Sequence, residues 1–170
     1  MVQLLNKLEI KRLNRKFAHG RDIYIVAENI QYARNVASMF RIADALGAKE
    51  LILTGISKTP PFGKELAKVS RNKEKRVKWR YFKTTASALA YLKSKDVPVI
   101  AIEQVKGAHP YFIVKYPQKF ALLVGNETYG VTRATLRRLK NFVFIPMYGK
   151  GASLNVHVSL AVVAFHAIIS

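Results

Sequence analysis

The chain has 170 residues, of which 29 are Lys or Arg and 10 are Asp or Glu, so its formal net charge is +19 although half of its residues are hydrophobic. This much hydrophobicity excludes a disordered tail, and the length predicts one domain. No apolar run reaches the roughly 18 residues of a membrane span, and the lack of cysteine excludes disulfides and cysteine-ligated metals. We expect a globular protein of the cytoplasm with a polyanionic partner, nucleic acid rather than membrane.

Short apolar segments rich in β-branched residues alternate with amphipathic segments. The first strand is predicted at Asp22–Glu28 and the second at Glu50–Thr54, with a helix between them. Asn35 is the predicted N-cap of this helix and Gly47 the residue that ends it, because asparagine accepts hydrogen bonds from free N–H groups and glycine adopts the left-handed conformation. The predicted core face of the helix consists of Val36, Met39, Phe40, Ala43 and Leu46.

Further strands and helices follow in the same alternation. Strands are predicted at residues 77–82, 97–102, 120–124 and 141–145. Helices are predicted after a cap at Thr84 or Thr85, at residues 132–139 and at residues 153–169. The core face expected for the last helix consists of Leu154, Val158, Ala161, Val162 and Phe165. The pattern indicates an α/β fold, a single domain whose mostly parallel sheet has helices on both faces.

Basic residues concentrate in three clusters. Residues 64–83 contain nine Lys or Arg and two acids, residues 133–140 contain four basic residues, and the first twenty residues contain five. Any one cluster is equally typical of a solvated helix face, but three clusters with so few acids favour an RNA or DNA surface. The candidate RNA contacts are Lys11, Arg12, Lys64, Lys68, Arg71, Arg133 and Arg137.

Two glycine-containing loops, GNETYG at residues 125–130 and YGKGAS at residues 148–153, follow predicted strands. Neither has the spacing of a dinucleotide-binding fingerprint or of a P-loop. The four histidines show no metal-ligand spacing, so no metal is expected, and the lack of a G-x-S-x-G elbow argues against a serine hydrolase. The common cofactor motifs therefore leave both loops unexplained.

Three segments, in order, resemble the motifs of one family. They are ENIQYARNVASMFRIADALGA at residues 28–48, ALLVGNETYGVT at residues 121–132 and FIPMYGKGASLNVHVSLAV at residues 144–162. Together they resemble the SpoU (TrmH-like) class of the SPOUT RNA methyltransferases, which transfer a methyl group from S-adenosylmethionine to a ribose 2′-hydroxyl of tRNA or rRNA. The resemblance extends from about residue 22 to the C-terminus.

The resemblance implies a C-terminal trefoil knot and a homodimer in which a second subunit completes the site. It also implies S-adenosylmethionine as the cofactor, with contacts expected from Glu103, Gly125, Ile145 and Leu154. In this interpretation residues 22–170 form the catalytic domain, and residues 1–21 form a basic extension that we expect to be helical.

The same resemblance supplies the candidate catalytic residues. Arg41 matches the motif-one arginine that activates the hydroxyl, either as a base or, since arginine stays protonated, as a cationic clamp on phosphate and developing alkoxide. Asn35, also in motif one, has a supporting role. Glu127, in motif two, contacts substrate or bonds to backbone amides. Ser153 and Asn155, in motif three, orient ribose or cofactor groups, and Ser153 is also a candidate cap of the last helix.

His157 departs from the family pattern, because a small residue usually follows SLNV. It either packs at the dimer seam or tunes a neighbouring group. The main hypothesis is an S-adenosylmethionine-dependent RNA 2′-O-ribose methyltransferase that acts on tRNA, with rRNA as the second substrate class. The alternative is a non-catalytic RNA-binding or ribosome-associated protein that keeps the fold. Methylation of a base or of a protein is disfavoured only by the resemblance.

Overall fold

A computed structural model describes residues 4–170, and its strands form one sheet in the order β3-β2-β1-β6-β4-β7-β5. The strands are β1 (Asp22–Glu28), β2 (Glu50–Thr54), β3 (Trp79–Phe82), β4 (Val99–Ile102), β5 (His109–Pro110), β6 (Lys119–Val124) and β7 (Asn141–Phe144). Every neighbouring pair is parallel. The predicted α/β fold with a parallel sheet is confirmed.

The helices cover both faces of this sheet. They are α1 (Lys7–Lys16), α2 (Ala33–Leu46), α3 (Lys64–Ser70), α4 (Thr85–Lys93), α5 (Arg133–Leu136) and α6 (Val156–Ile169). Side chains of α2 and α6 share one hydrophobic core with Ile25 and Leu122, whereas α4 packs with Val26 and Leu123 in a second core. Because successive side chains of a strand point to opposite faces, the continuous apolar strands supply both cores.

Two predicted helix caps are wrong. Helix α2 begins at Ala33, so Asn35 lies inside its first turn and is buried, and the N-cap position is held by Tyr32 without a side-chain bond. Helix α6 begins at Val156 and is capped by Asn155, whose side chain accepts from the backbone N–H of His157, rather than by Ser153. Asparagine and serine are both favoured N-cap residues, so the sequence alone does not show which of them begins a helix. The contacts of the neighbouring loops determine where the helix starts.

The predicted core face of α6 is also wrong. The buried residues are Leu160, Val163, Ala164 and Ala167, while Phe165, which belongs to the predicted face, is 43% exposed. The predicted face also includes Val158 and Leu154, both of which are exposed. This helix is apolar on all sides, so hydrophobic periodicity does not identify the side that meets the sheet.

Several element boundaries differ from the prediction. Strand β4 begins at Val99 because Pro98 has no N–H to donate, and β7 ends at Phe144, ahead of Pro146. The basic helix is a single turn, α5, and both α3 and the two-residue strand β5 were not predicted. Among residues 4–170, no helix has the length and apolar character that crossing a membrane requires.

Candidate active site

Four loops meet at the carboxyl edge of the sheet, after β1, β4, β6 and β7. The sheet order places β1 beside β6, where the chain changes direction from the β2 side to the β4 side, and ligands of α/β sheets bind at such a switch point. A cavity of about 470 Å³ opens there. Its lining includes Tyr32, Asn35, Glu103, Gly125, Glu127, Ile145, Ser153, Leu154 and Asn155.

The loop after β6, residues 125–130, folds back on itself. Asn126 and Gly130 exchange two backbone hydrogen bonds of 2.9 Å, and the Asn126 side chain accepts from the backbone N–H groups of Thr128 and Tyr129. A Cβ on Gly125 would lie 2.2 Å from a backbone atom of Gly130. Glycine at position 125 is therefore required by the closeness of the loop's own backbone.

Glu127 connects this loop to helix α2. Its carboxylate accepts from the backbone N–H groups of Gln31 and Tyr32, at 2.9 and 3.1 Å, and from Asn35 Nδ2 at 2.6 Å. Free N–H groups at a helix N-terminus attract negative charge, and Glu127 binds the N–H of the N-cap residue Tyr32, as the N3 carboxylate of a capping box usually does. Of the two roles left open for Glu127, bonding to backbone amides is present in the structure.

Asn35 joins three of the candidate residues. Because a carboxylate only accepts, the contact with Glu127 fixes the orientation of the Asn35 amide, with Oδ1 on the opposite side. Asn155 Nδ2 lies 3.3 Å from this Oδ1, and His157 Nδ1 lies 3.0 Å from it. His157 Nδ1 must therefore carry the proton, and burial lowers the pKa of His157.

Glu103 fixes the loop after β4 against the loop after β6. Its carboxylate accepts from Val131 N at 2.7 Å and from Gln104 N at 3.0 Å, and Gly130 lies too close to it to carry a Cβ. The Gln104 side chain in turn donates to the backbone oxygen of Ala152, in the loop after β7. The predicted cofactor residue Glu103 thus borders the cavity and orders its walls.

Glu28 lies outside the cavity lining but anchors the segment that follows one of the cavity loops, and sequence reasoning missed it. It is buried at the end of β1, and its carboxylate accepts from Thr132 N and Oγ1, both at 3.0 Å, and from Thr135 Oγ1 at 2.5 Å. The bonds anchor α5, which follows the loop at 125–130. An acid at the carboxyl end of an apolar strand is the signal that could have identified it, although Asp22 at the other end of β1 is also acidic.

Arg41 is not brought into the cavity. It lies on the exposed surface of α2, six residues beyond Asn35, and it does not border the cavity. The other predicted catalytic residues, Asn35, Glu127, Ser153 and Asn155, all border it. The proposed RNA contacts are all exposed: Lys11, Arg12, Lys64, Lys68, Arg71, Arg133 and Arg137. Within residues 4–170, no cluster of three metal-ligating side chains is present.

This parallel sheet with its cavity at the switch point defines a class of α/β ligand-binding proteins, and comparison with known proteins specifies the family. Residues 22–165 match the model of the SpoU rRNA methylase family, and the chain belongs to that family. It is 30% identical over 151 residues to the 23S rRNA (guanosine(2553)-2′-O)-methyltransferase RlmP of Bacillus subtilis, covering 89% of this chain and 59% of the relative. It is 30% identical over 149 residues to the tRNA (guanosine(18)-2′-O)-methyltransferase of Thermus thermophilus, covering 86% and 74%.

Solved structures have the same fold. The TrmH/SpoU tRNA modifying enzyme of A. aeolicus matches with a TM-score of 0.77 at 24% identity, over 94% of this chain and 82% of that one. An AdoMet-bound rRNA methyltransferase from Sinorhizobium meliloti matches with a TM-score of 0.79 at 22% identity, over 95% and 69%. The chain spans about three-fifths of the length of the RlmP relative and of the Escherichia coli tRNA (guanosine(18)-2′-O)-methyltransferase.

Proposed function

We propose that the protein is an S-adenosylmethionine-dependent RNA 2′-O-ribose methyltransferase, with tRNA as the main substrate and rRNA as the second. The observation that carries the proposal is the hydrogen-bonded set of Glu127, Asn35 and Asn155 at the rim of the cavity. These residues come from the three motifs that resemble the family. Both relatives compared above are named as 2′-O-methyltransferases, one of tRNA and one of rRNA.

The cavity fits S-adenosylmethionine in size and in chemistry. Its volume of about 470 Å³ lies within the range of small-molecule sites, and its walls combine apolar side chains with loop backbone and polar groups. Glu103, Gly125, Ile145 and Leu154 border it and would hold the cofactor. When bound, the cofactor supplies an electrophilic methyl group. The chain's own residues orient the ribose, with Ser153 and Asn155 the candidates for contacts with its polar groups.

Arg41 acts in this proposal on the ribose and its phosphate, and the partner subunit of a homodimer completes the site. The exposed position of Arg41 on α2, outside the cavity, supports a site shared between subunits. The apolar outer face of α6, with Val158, Phe165 and Ile169, is exposed in the single chain and would be covered in the dimer. A cationic guanidinium stabilises the developing alkoxide by charge and by its forked donors.

The proposal includes a C-terminal trefoil knot, an RNA surface and a cytoplasmic location. The knot is inferred from membership of the family, and α6 packs against α2 and β6 in this chain. Residues 22–170 form the catalytic domain and residues 1–21 a basic extension, which contains the exposed helix α1. The candidate RNA contacts, Lys11, Arg12, Lys64, Lys68, Arg71, Arg133 and Arg137, would bind phosphate.

Calorimetry with S-adenosylmethionine and a methyl-transfer assay test the function. Purified protein should bind the cofactor and methylate RNA isolated from cells that lack this protein, and nucleoside mass spectrometry should find a 2′-O-methyl mark. Arg41→Ala should abolish transfer and leave cofactor binding intact, whereas Arg34→Ala, which removes another exposed arginine of α2, should retain transfer. Lack of cofactor binding would favour the non-catalytic RNA-binding alternative.

A further inference from the structure

Tyr129 is a highly exposed aromatic residue on one of the cavity loops, and hydrogen bonds hold the backbone of that loop in place. It is 85% exposed, although tyrosine is large and mostly apolar. The loop that carries it, residues 125–130, borders the cavity with Thr128 and Gly130. A large aromatic ring held in solvent beside a binding cavity indicates a partner surface for that ring.

The backbone around Tyr129 is fixed by hydrogen bonds. Asn126 Oδ1 accepts from Tyr129 N at 3.1 Å, and Asn126 Nδ2 donates to the backbone oxygen of Asn29 at 2.8 Å. Glu127 and Glu103 hold the loop on its two sides, through α2 and through Val131 N. Little backbone entropy remains to be lost when a ligand packs on the ring, which favours binding.

Two exposed basic residues follow Tyr129 closely in the chain. Helix α5 begins four residues further along with Arg133, and Arg137 is its C-cap, whereas the nearby acids Glu103 and Glu127 are already engaged in hydrogen bonds. Cations beside an exposed aromatic ring are the combination that binds unpaired nucleic acid, because the ring stacks on a base while the cations bind phosphate. A ribose whose 2′-hydroxyl enters the cavity would carry its base to the cavity rim, where Tyr129 lies.

We infer that the Tyr129 ring stacks on an unpaired base at the methylation site of the RNA substrate. This inference rests on the proposed function. It adds that the base of the methylated nucleotide must be unstacked from its RNA neighbours during methyl transfer. Stacking tolerates every base, so Tyr129 selects an accessible nucleotide rather than a particular base. Any preference for a particular base must then come from residues other than Tyr129.

Binding measurements on single variants test this role. The probes are S-adenosylmethionine and unmodified tRNA and rRNA from cells that lack the protein. Tyr129→Ala should weaken RNA binding about tenfold, since loss of one stacked base typically costs that order of affinity, and should leave cofactor affinity unchanged. Tyr129→Phe keeps the ring and should retain binding within about twofold. Phe112→Ala removes another exposed aromatic ring, outside the cavity lining, and should bind RNA as wild type does.

A thermodynamic cycle identifies the contact itself. Once the methylated position is mapped, the same RNA is made with an abasic residue there. Wild-type protein should bind the abasic RNA about tenfold more weakly than the intact RNA, whereas Tyr129→Ala should bind both equally. If the abasic RNA loses the same affinity for wild-type protein and for Tyr129→Ala, the inference is overturned. It is also overturned if Tyr129→Ala has unchanged RNA affinity, weakened cofactor binding or a changed oligomeric state. If wild-type protein binds RNA without methylating it, the proposed function fails, and the affinities of Tyr129→Ala and Tyr129→Phe still decide whether the ring contacts RNA.

Discussion

Replacement of Glu127 by glutamine should destabilise the protein without a change in size. The carboxylate accepts three hydrogen bonds, from Gln31 N, Tyr32 N and Asn35 Nδ2. A glutamine side chain has a single acceptor oxygen, so its NH₂ group must face one of these three donors. If Asn35 rotates its amide to remove the conflict, it loses the orientation that accepts from Asn155 and His157.

The size of the effect follows from these bonds. A hydrogen bond to a charged acceptor contributes about 1.5–3 kcal/mol, and a neutral bond about 1 kcal/mol. Loss of one bond and weakening of the other two should therefore lower the free energy of unfolding by about 2 kcal/mol. With a denaturant slope of about 2 kcal/mol per molar urea, the unfolding midpoint should fall by about 1 M.

Urea unfolding followed by tryptophan fluorescence measures this change. Trp79 is the single tryptophan of the chain, and its ring centroid lies 6.4 Å from that of Phe40 on α2, so it reports on the helix that Glu127 caps. Protein concentration is held constant because a dimer unfolds in a concentration-dependent way. Glu65→Gln is the control, since Glu65 makes only an exposed 2.9 Å pair with Lys68 and should change stability by at most about 0.5 kcal/mol. A Glu127→Gln midpoint equal to that of the control would refute the capping role.

Three further changes have defined outcomes. Gly125→Ala should cost at least about 2 kcal/mol of stability and abolish cofactor binding, because its Cβ would lie 2.2 Å from the loop backbone. Urea unfolding and calorimetry measure the two effects. The control Gly63→Ala has open space around its Cβ and should be nearly neutral in both measurements. Burial lowers the pKa of His157, so the unfolded chain binds a proton at this residue more readily than the folded protein does. The free energy of unfolding should therefore fall as the pH drops below about 6.5, and His157→Ser should flatten that dependence in urea unfolding across this range. An unchanged slope would contradict the assignment. Replacement of both Arg133 and Arg137 by Glu should weaken RNA binding and reduce its dependence on salt. The measurement is the slope of log affinity against log salt concentration. An unaltered slope would show that these two residues do not contact RNA phosphate.

Most of the sheet was predictable from the sequence because its central strands are apolar on both faces, whereas the edge strand β3, in which Arg80 and Tyr81 are exposed, begins at Trp79 rather than at the predicted residue 77. Strands β1 and β2 have the predicted bounds, and the limits of β4 and β7 shifted only where Pro98 and Pro146 interrupt the backbone pattern. The outer face of α6 was not predictable, since a helix that is apolar all round has no preferred side in the sequence. The choice of face depends on what packs against it.

The site was predictable where motifs mark it and not where long-range contacts form it. The motif residues Asn35, Glu127 and Asn155 come together in one hydrogen-bonded set, although Asn35 lies inside the helix and does not cap it. The cap comes instead from a carboxylate 92 residues away along the chain, and Glu28 likewise binds hydroxyls more than 100 residues away. Local patterns carry no information on such pairs.

Half of the acidic side chains are held in hydrogen bonds inside the protein or in its cavity loops, and this affects how the charged surface of the protein behaves in solution. Of the ten acidic residues, five are held by hydrogen bonds in the interior or in the cavity loops: Glu28, Glu50, Glu74, Glu103 and Glu127. Their negative charge stabilises loops and helix ends instead of interrupting the outer positive field. The free protein should therefore carry a dense counterion shell at low ionic strength and retain nucleic acid through purification unless it is washed with concentrated salt.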